Sequence, residues 1–259
     1  YVAINSYALK QSRAQLLLED YIKRNPYSPY RSRVCFMLGR IRYENEKYKH
    51  ALTWYDEVKE KDLIPQERLE FLYTKAYSLL GMKKYAEAKK IFNSLSNEKN
   101  EYSNVATYYS AYIDYLQKNN KSALNGFLKI EETEEYKNIV PYYIVQIYYE
   151  EKEYKKSLEH GKKMLESNPN NKNNSEVYRI MGECAYRENV FNEAIVYFGK
   201  YEKLAKKLQR NSSYMYGMSF FQEKDYVNAV KYLTRATTPE DSIAQNAYLH
   251  LGHSYLLQN

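Results

Sequence analysis

The sequence has no apolar run near the roughly 18 residues that a membrane-spanning helix needs, so such a span is excluded. Glycine (8) and proline (6) are scarce among 259 residues. That scarcity disfavours a many-turned β-sandwich and points to helices. Two cysteines, Cys35 and Cys184, lie far apart with no CxxC, so a disulfide framework is excluded and both read as isolated buried thiols. No block of five or six like charges occurs: Lys and acidic residues are mixed, as in Lys59-Glu60-Lys61-Asp62. The net charge of +7 therefore does not make nucleic acid the expected partner. GxGxxG, P-loop and HExxH motifs are absent. There are four histidines; His250 and His253, one helical turn apart, read not as metal ligands but as a groove-facing His253 and a His250 on the side of the helix. Glu131-Glu132 and Glu134-Glu135 read as solvated surface where a helix ends. With no nucleophile–base pair, carboxylate pair or metal cluster, neither catalysis nor a cofactor is expected.

What the sequence has in excess is tyrosine, 32 residues against 8 Phe and 1 Trp. Apolar residues make up 44% and charged residues 27%, the balance of a folded chain.

Self-similarity organises these residues. An aromatic followed three positions later by a small residue recurs at Tyr48/Ala51, Tyr85/Ala88, Tyr154/Ser157, Phe191/Ala194 and Tyr226/Ala229. Ala14 and Ala123 complete the series at spacings of 34–37 residues. Twelve positions before each anchor stands Gly39, Ala76, Ala111, Val145, Gly182 or Gly217, and Gly252 opens one more period. Four positions after each anchor stands a bulky residue: Leu18, Tyr55, Phe92, Phe127, Phe198 or Leu233, with Gly161 the exception. A period of this length marks stacked supersecondary units, each too small to bury a core alone.

The pattern resembles the tetratricopeptide repeat (TPR) family, through the pairs Leu38-Gly39 and Leu251-Gly252, the variant Met181-Gly182, the mid-repeat Ala with a bulky residue four later, and Pro26 and Pro169 near unit ends. The resemblance covers essentially the whole chain. It implies an all-α, right-handed superhelical solenoid of about seven helix-turn-helix units forming a single domain over residues 1–259. The units fall near 1–31, 32–68, 69–103, 104–137, 138–174, 175–209 and 210–244, with a partial one at 245–259. Helix pairs are expected near 32–60, 69–95, 104–130, 138–166, 175–207 and 210–236, with a second helix near 11–24 and a lone first helix from about 244. The polar stretch 167–174 reads as a lengthened turn. The terminal units read as incomplete. The last helix, with Tyr248, Leu251 and Tyr255 along one side, is expected to be covered by further chain or by a second copy in a homodimer.

In this family the first helices line the concave face. Carried over position by position, that face holds Phe36, Arg40, Tyr43, Tyr73, Tyr77, Tyr108, Tyr112, Tyr115, Tyr142, Tyr149, Arg179, Tyr186, Tyr214 and Phe221. The resemblance implies a non-enzymatic scaffold that binds a peptide or helix of a partner protein in this Tyr-rich groove. A second set, Tyr48, Tyr85, Tyr154 and Tyr226, is read as core. Arg40 is the only basic residue at its groove position, which departs from the Lys/Asn clamp of cytoplasmic co-chaperone members.

The stretch Tyr21-Ile22-Lys23-Arg24-Asn25-Pro26-Tyr27-Ser28-Pro29-Tyr30, followed by Leu38-Gly39, is similar to bacterial envelope TPR proteins. These include outer-membrane assembly lipoproteins and periplasmic cell-division coordinators. The resemblance implies a periplasmic or envelope location, and the Lys/Asn/Tyr bias suits a member of the Bacteroidetes. The alternatives left open are a cytoplasmic adaptor, a peptide-sensing regulator, or a TPR segment of a larger protein whose catalytic or DNA-binding domain lies elsewhere.

Overall fold

Apolar residues spaced three and four apart fold as α-helices, and the computed structural model, which describes residues 2–8 and 13–258, contains fifteen of them and no strand among those residues. The chain divides after Gly126 into two compact units. The N-terminal unit holds α1 (Val2–Ala8), α2 (Ala14–Arg24), α3 (Arg31–Glu44), α4 (Tyr48–Tyr55), α5 (Pro65–Gly81), α6 (Tyr85–Asn97) and α7 (Ser103–Leu116). The division falls within α8 (Asn120–Leu128). The C-terminal unit continues with α9 (Val140–Glu150), α10 (Tyr154–Ser167), α11 (Asn174–Arg187), α12 (Phe191–Leu204), α13 (Arg210–Gln222), α14 (Tyr226–Leu233) and α15 (Ser242–Leu257). The first helix of a pair packs on its own second helix and also on the next first helix, as α3 does on α4 and α5, and α11 on α12 and α13.

The expected helices are present with shifted ends. Helix α5 starts at Pro65 rather than near 69, and Pro141 stands in the first turn of α9. Proline is tolerated there because the first helical N–H groups have no intrahelical acceptor and its φ is already helical. Part of the stretch expected to open α2 lies outside the described residues.

Each pair turns by one device. Glu46, Lys83, Lys118, Lys152, Asn189 and Lys224 follow the first helix of their pairs and have φ between 56° and 62°. The next residue's N–H reaches back to the helix: Lys47 to Arg42 O (2.9 Å), Lys84 to Leu79 O (2.9 Å) and Glu153 to Tyr148 O (2.8 Å). This is the left-handed cap that glycine usually supplies. Because these positions hold Lys, Glu or Asn, the sequence carries no signal for it.

The small first-helix residues seat the bulky second-helix residues. A Cβ on Gly182 would stand 2.7 Å from the Phe198 ring, and one on Gly217 would stand 2.8 Å from Leu233 Cγ. Tyr55, Phe92, Phe127 and Phe198 are fully buried, each stabilising by about 1.5–3 kcal/mol. At the exception the sizes are exchanged, with Val145 on the first helix and Gly161 on the second. Met181 Sδ fills the space at 2.8 Å from where a Gly161 Cβ would be.

The two tyrosine populations need correction. The buried ones are Tyr55, Tyr197, Tyr201, Tyr216 and Tyr232, whereas Tyr48, Tyr85, Tyr154 and Tyr226 are half-buried. The latter four begin their helices and keep an open side: Tyr48 packs against Tyr77 of α5, and Tyr85 and Tyr154 lean on buried core side chains. Tyr48 also covers Gly81. Leu251 is buried, while Tyr248 and Tyr255 are exposed together with Leu249 and Leu256.

Candidate functional site

In the N-terminal unit the first helices α3, α5 and α7 bring most of the expected rings together. Tyr77 lies edge-on to Tyr43 (5.6 Å), Tyr48 (5.9 Å) and Tyr109 (5.1 Å) and tilted against Tyr73 (6.2 Å). Tyr73 stacks on Tyr102 (5.1 Å), Tyr108 stacks on Tyr112 (6.0 Å), and Tyr109 joins the two groups by meeting Tyr108 at 5.2 Å. These rings are half-buried, so each has a packed side and an open side. Burial pushes the Tyr43 phenol up to about 12. Phe36 does not share the open surface. It is 3% exposed and packs edge-on against Phe71 at 6.2 Å, because its position turns it between α3 and the next pair.

Arg40 is engaged by carboxylates of the same face, Glu44 at 3.1 Å and Glu70 at 2.8 Å. Burial raises Glu70 despite Arg40. Tyr7 lies beside Arg40, and burial lifts its phenol to about 12. Tyr115 lies under Lys118 (5.6 Å).

In the C-terminal unit the expected residues build a polar network. Arg179 is held by Glu176 (2.6 and 2.9 Å) and by Glu183 (2.6 Å). Glu183 is 3% exposed and also accepts from Ser212 Oγ (2.9 Å) and Tyr149 Oη. The Arg179 guanidinium lies 5.8 Å over the Tyr149 ring. Burial lifts the Tyr149 phenol to about 12, and its hydrogen bond to Glu183 adds to the shift. Burial opposes the Arg179 charge, but the two glutamates more than reverse that. Gln146 donates to Tyr142 Oη (2.9 Å), and Tyr186, Tyr214 and Phe221 flank the cluster around Met218.

Neither thiol is placed for chemistry. Cys35 and Cys184 are fully buried, and burial raises both, Cys184 to about 12. Among the described residues no three His, Cys, Asp or Glu side chains come together to hold a metal ion. His250 Nδ1 lies 2.8 Å from the Asn246 carbonyl oxygen, and its ring meets Phe221 edge-on at 4.9 Å. Of the acidic run, Glu132, Glu134 and Glu135 are exposed as expected, but Glu131 is half-buried with Oε2 3.7 Å from His160 Nδ1.

Helix pairs whose first helices contact successive first helices match known solved structures. A TPR protein from Cytophaga hutchinsonii superposes with a TM-score of 0.63 at 16% identity, over 95% of this chain and 98% of that one. The fold is the tetratricopeptide-repeat fold. A TPR protein from Parabacteroides merdae matches with a TM-score of 0.54 at 14% identity, over 98% and 96% of the two chains. YrrB, described as a TPR protein with an unusual peptide-binding site, matches with a TM-score of 0.58 at 16% identity, over 69% of this chain and 91% of that one. No protein-family model matches the sequence, and no curated protein does.

Repeat positions thus locate Tyr43, Tyr73, Tyr77, Tyr108 and Tyr112 in one TPR surface, and Tyr149 and Arg179 in another. They miss Tyr7, Tyr102 and Tyr109. Tyr109 is one residue beyond a groove position, and Tyr102 stands in the turn before α7, where the periodicity is silent.

Proposed function

We propose that this protein is a non-enzymatic interaction scaffold in a bacterial envelope, and that it holds a peptide or a helix of a partner protein on the Tyr-rich first-helix face of its repeats. One observation carries the reading: the half-buried rings of Tyr43, Tyr73, Tyr77, Tyr108 and Tyr112 form a connected surface in the N-terminal unit. Tyrosine offers a large rigid ring and a polar tip at low entropic cost on ordering, which suits partner binding. The peptide-binding site named for YrrB supports the same use of the fold.

The charges on this surface shape the choice of partner. Arg40 and Arg179 are committed to glutamates, so neither offers an open cation to a terminal carboxylate. Recognition rests instead on ring stacking and phenol hydrogen bonds along an extended or helical segment. The envelope location is supported by the likeness of the Tyr21–Tyr30 stretch to envelope TPR proteins.

The test is a selection of binding peptides from a displayed library, repeated on a Tyr108→Ala, Tyr112→Ala variant. Tyr77 is left intact because it is wedged among four rings. Loss of binding with unchanged helical circular dichroism supports the proposal; peptides that bind both proteins equally refute it. Recovery of the native protein with the envelope fraction of its host supports the location, and recovery in the cytosol refutes it.

A further inference from the structure

The tyrosine rings of the N-terminal unit lie among an excess of carboxylates. Helices α3 and α5 run side by side in the same direction, as the pairs Arg33–Glu67 (2.6 Å), Arg40–Glu70 (2.8 Å) and Tyr43–Tyr77 (5.6 Å) show. We propose that the partner segment held on this face is cationic: its arginine or lysine side chains lie over the exposed sides of the tyrosine rings and end against Glu44, Glu70 and Glu101. This rests on the reading of the first-helix tyrosines as the binding surface and specifies the partner's chemistry.

The balance of charge on the face is negative. Glu44, Glu67, Glu70 and Glu101 face two guanidinium groups. Arg40 pairs with both Glu44 (3.1 Å) and Glu70 (2.8 Å), and Arg33 pairs with Glu67. Glu67 Oε1 takes that bond, while its Oε2 is buried with no donor among the described residues. An acceptor left this way is costly. Glu101, exposed in the turn before α7, pairs with no cation among the described residues.

The other cations of these helices reach elsewhere. Arg31 goes to Glu57 (3.1 Å), Arg42 to Glu19 (3.4 Å), Arg68 to Glu60 (3.3 Å) and Lys75 to Asp56 (3.0 Å). Helix α7 has no basic residue. In a chain of net charge +7 the tyrosine face is therefore locally acidic. Burial is the main cause that raises the Glu70 carboxyl; Arg40 opposes it, and Glu44, Glu101 and Glu67 add to the rise. Burial also raises the Tyr102 phenol, and Glu70 and Glu101 raise it further, so these carboxylates lie close to the rings.

The rings suit the same ligand. The face of an aromatic ring is electron-rich and attracts a cation. The chain already makes this contact: Lys118 Nζ lies 5.6 Å over Tyr115, Lys200 Nζ 5.2 Å over Tyr178, and the Arg179 guanidinium 5.8 Å over Tyr149. A guanidinium lying on a ring can also donate in its own plane to a carboxylate at the ring's edge. Glu67, Glu70 and Glu101 stand at the starts of α5 and α7, whereas Lys83 and Lys118 follow their ends. The partner's cations are thus held along the helix-start edge, where an acidic segment would meet like charge.

The test is selection from a displayed random-peptide library on the 259-residue protein, on the Tyr108→Ala, Tyr112→Ala variant and on a Glu44→Gln, Glu101→Gln variant. Both of these glutamates are exposed, so the glutamine variant should keep the circular dichroism of the parent. Peptides that depend on Tyr108 and Tyr112 are expected to be enriched in arginine and lysine over aspartate and glutamate, although the chain's net charge favours the opposite. They are expected to bind the glutamine variant about fivefold more weakly at low salt, with the difference shrinking as salt is added. Tyrosine-dependent peptides that are neutral or acidic, or that bind the glutamine variant unchanged, overturn the cationic partner and leave the binding face standing. Peptides that bind regardless of Tyr108 and Tyr112 overturn both.

Discussion

A Cβ on Gly39 would stand 2.2 Å from Cε1 of Tyr55, with the ring seated directly on the glycine. The same repeat position at Gly252 has nothing within 4 Å. One substitution at two equivalent positions should therefore have opposite effects. Gly39→Ala forces the buried Tyr55 ring to move and should cost about 1–3 kcal/mol. Gly252→Ala lies inside α15 with open space and should stabilise by about 0.5–1 kcal/mol. Urea unfolding of the two variants measures both signs; equal effects would show that the glycines are not packing positions.

The left-handed caps give a second test. Lys83 has φ 59° and Lys152 has φ 61°, a conformation that disfavours a residue with a Cβ by about 1–2 kcal/mol. Glycine relieves this but loses more backbone entropy on folding. Lys83→Gly and Lys152→Gly should each stabilise by about 0.5 kcal/mol, while the alanine variants should stay near the parent. Stabilisation by alanine as large as by glycine would point to surface charge instead of backbone strain.

Glu183 is the hub of the C-terminal network, accepting from Arg179, Ser212 and Tyr149. Glu183→Ala leaves three donors without this acceptor: Ser212 Oγ, Tyr149 Oη and one arm of Arg179. The loss should be about 3 kcal/mol. Glu183→Gln, which keeps the shape and an acceptor, should lose less. Chemical denaturation of the two variants measures the difference, and equal stability of Glu183→Ala and the parent would show that the network contributes nothing.

Alkaline pH should unfold the protein in a defined window. Tyr7, Tyr43 and Tyr149 are each lifted from 10.0 to about 12. A phenol raised in the folded state favours folding fully below the unfolded value and loses that contribution as pH rises through the folded one. The contribution of these phenols should therefore be flat below pH 10.0 and fall between 10.0 and about 12, with the buried Cys184 thiol, raised from 9.0, adding a loss that starts about one pH unit lower. Tyrosinate absorbance and circular dichroism followed together should change in the same window. Tyrosinate absorbance saturating near pH 10.0 with helicity intact would contradict the burial of these phenols.

Helix pairing was legible in the sequence because it is written in pairs of sizes. Gly39 with Tyr55, Gly182 with Phe198 and Gly217 with Leu233 repeat at fixed offsets, and even Val145 with Gly161 keeps the combined volume. Side-chain environment was less legible. Phe36 and Tyr43 both occupy first-helix positions of one repeat face, yet Phe36 is buried against Phe71 while Tyr43 stays half-open. A three-to-four-residue period fixes a direction from the helix axis, and the neighbouring pair decides how deeply that direction is covered. The caps were illegible because lysine at a positive φ looks like lysine anywhere else.

The proposed partner segment lies on the first-helix tyrosines of the N-terminal unit. The most direct measurement is hydrogen–deuterium exchange of the intact protein with and without a peptide selected for binding. Added protection is expected in α5 and α7, around Tyr73, Tyr77, Tyr108 and Tyr112, with α4 and α6 unchanged. Protection confined to α4 and α6, or spread evenly over the chain, would contradict it.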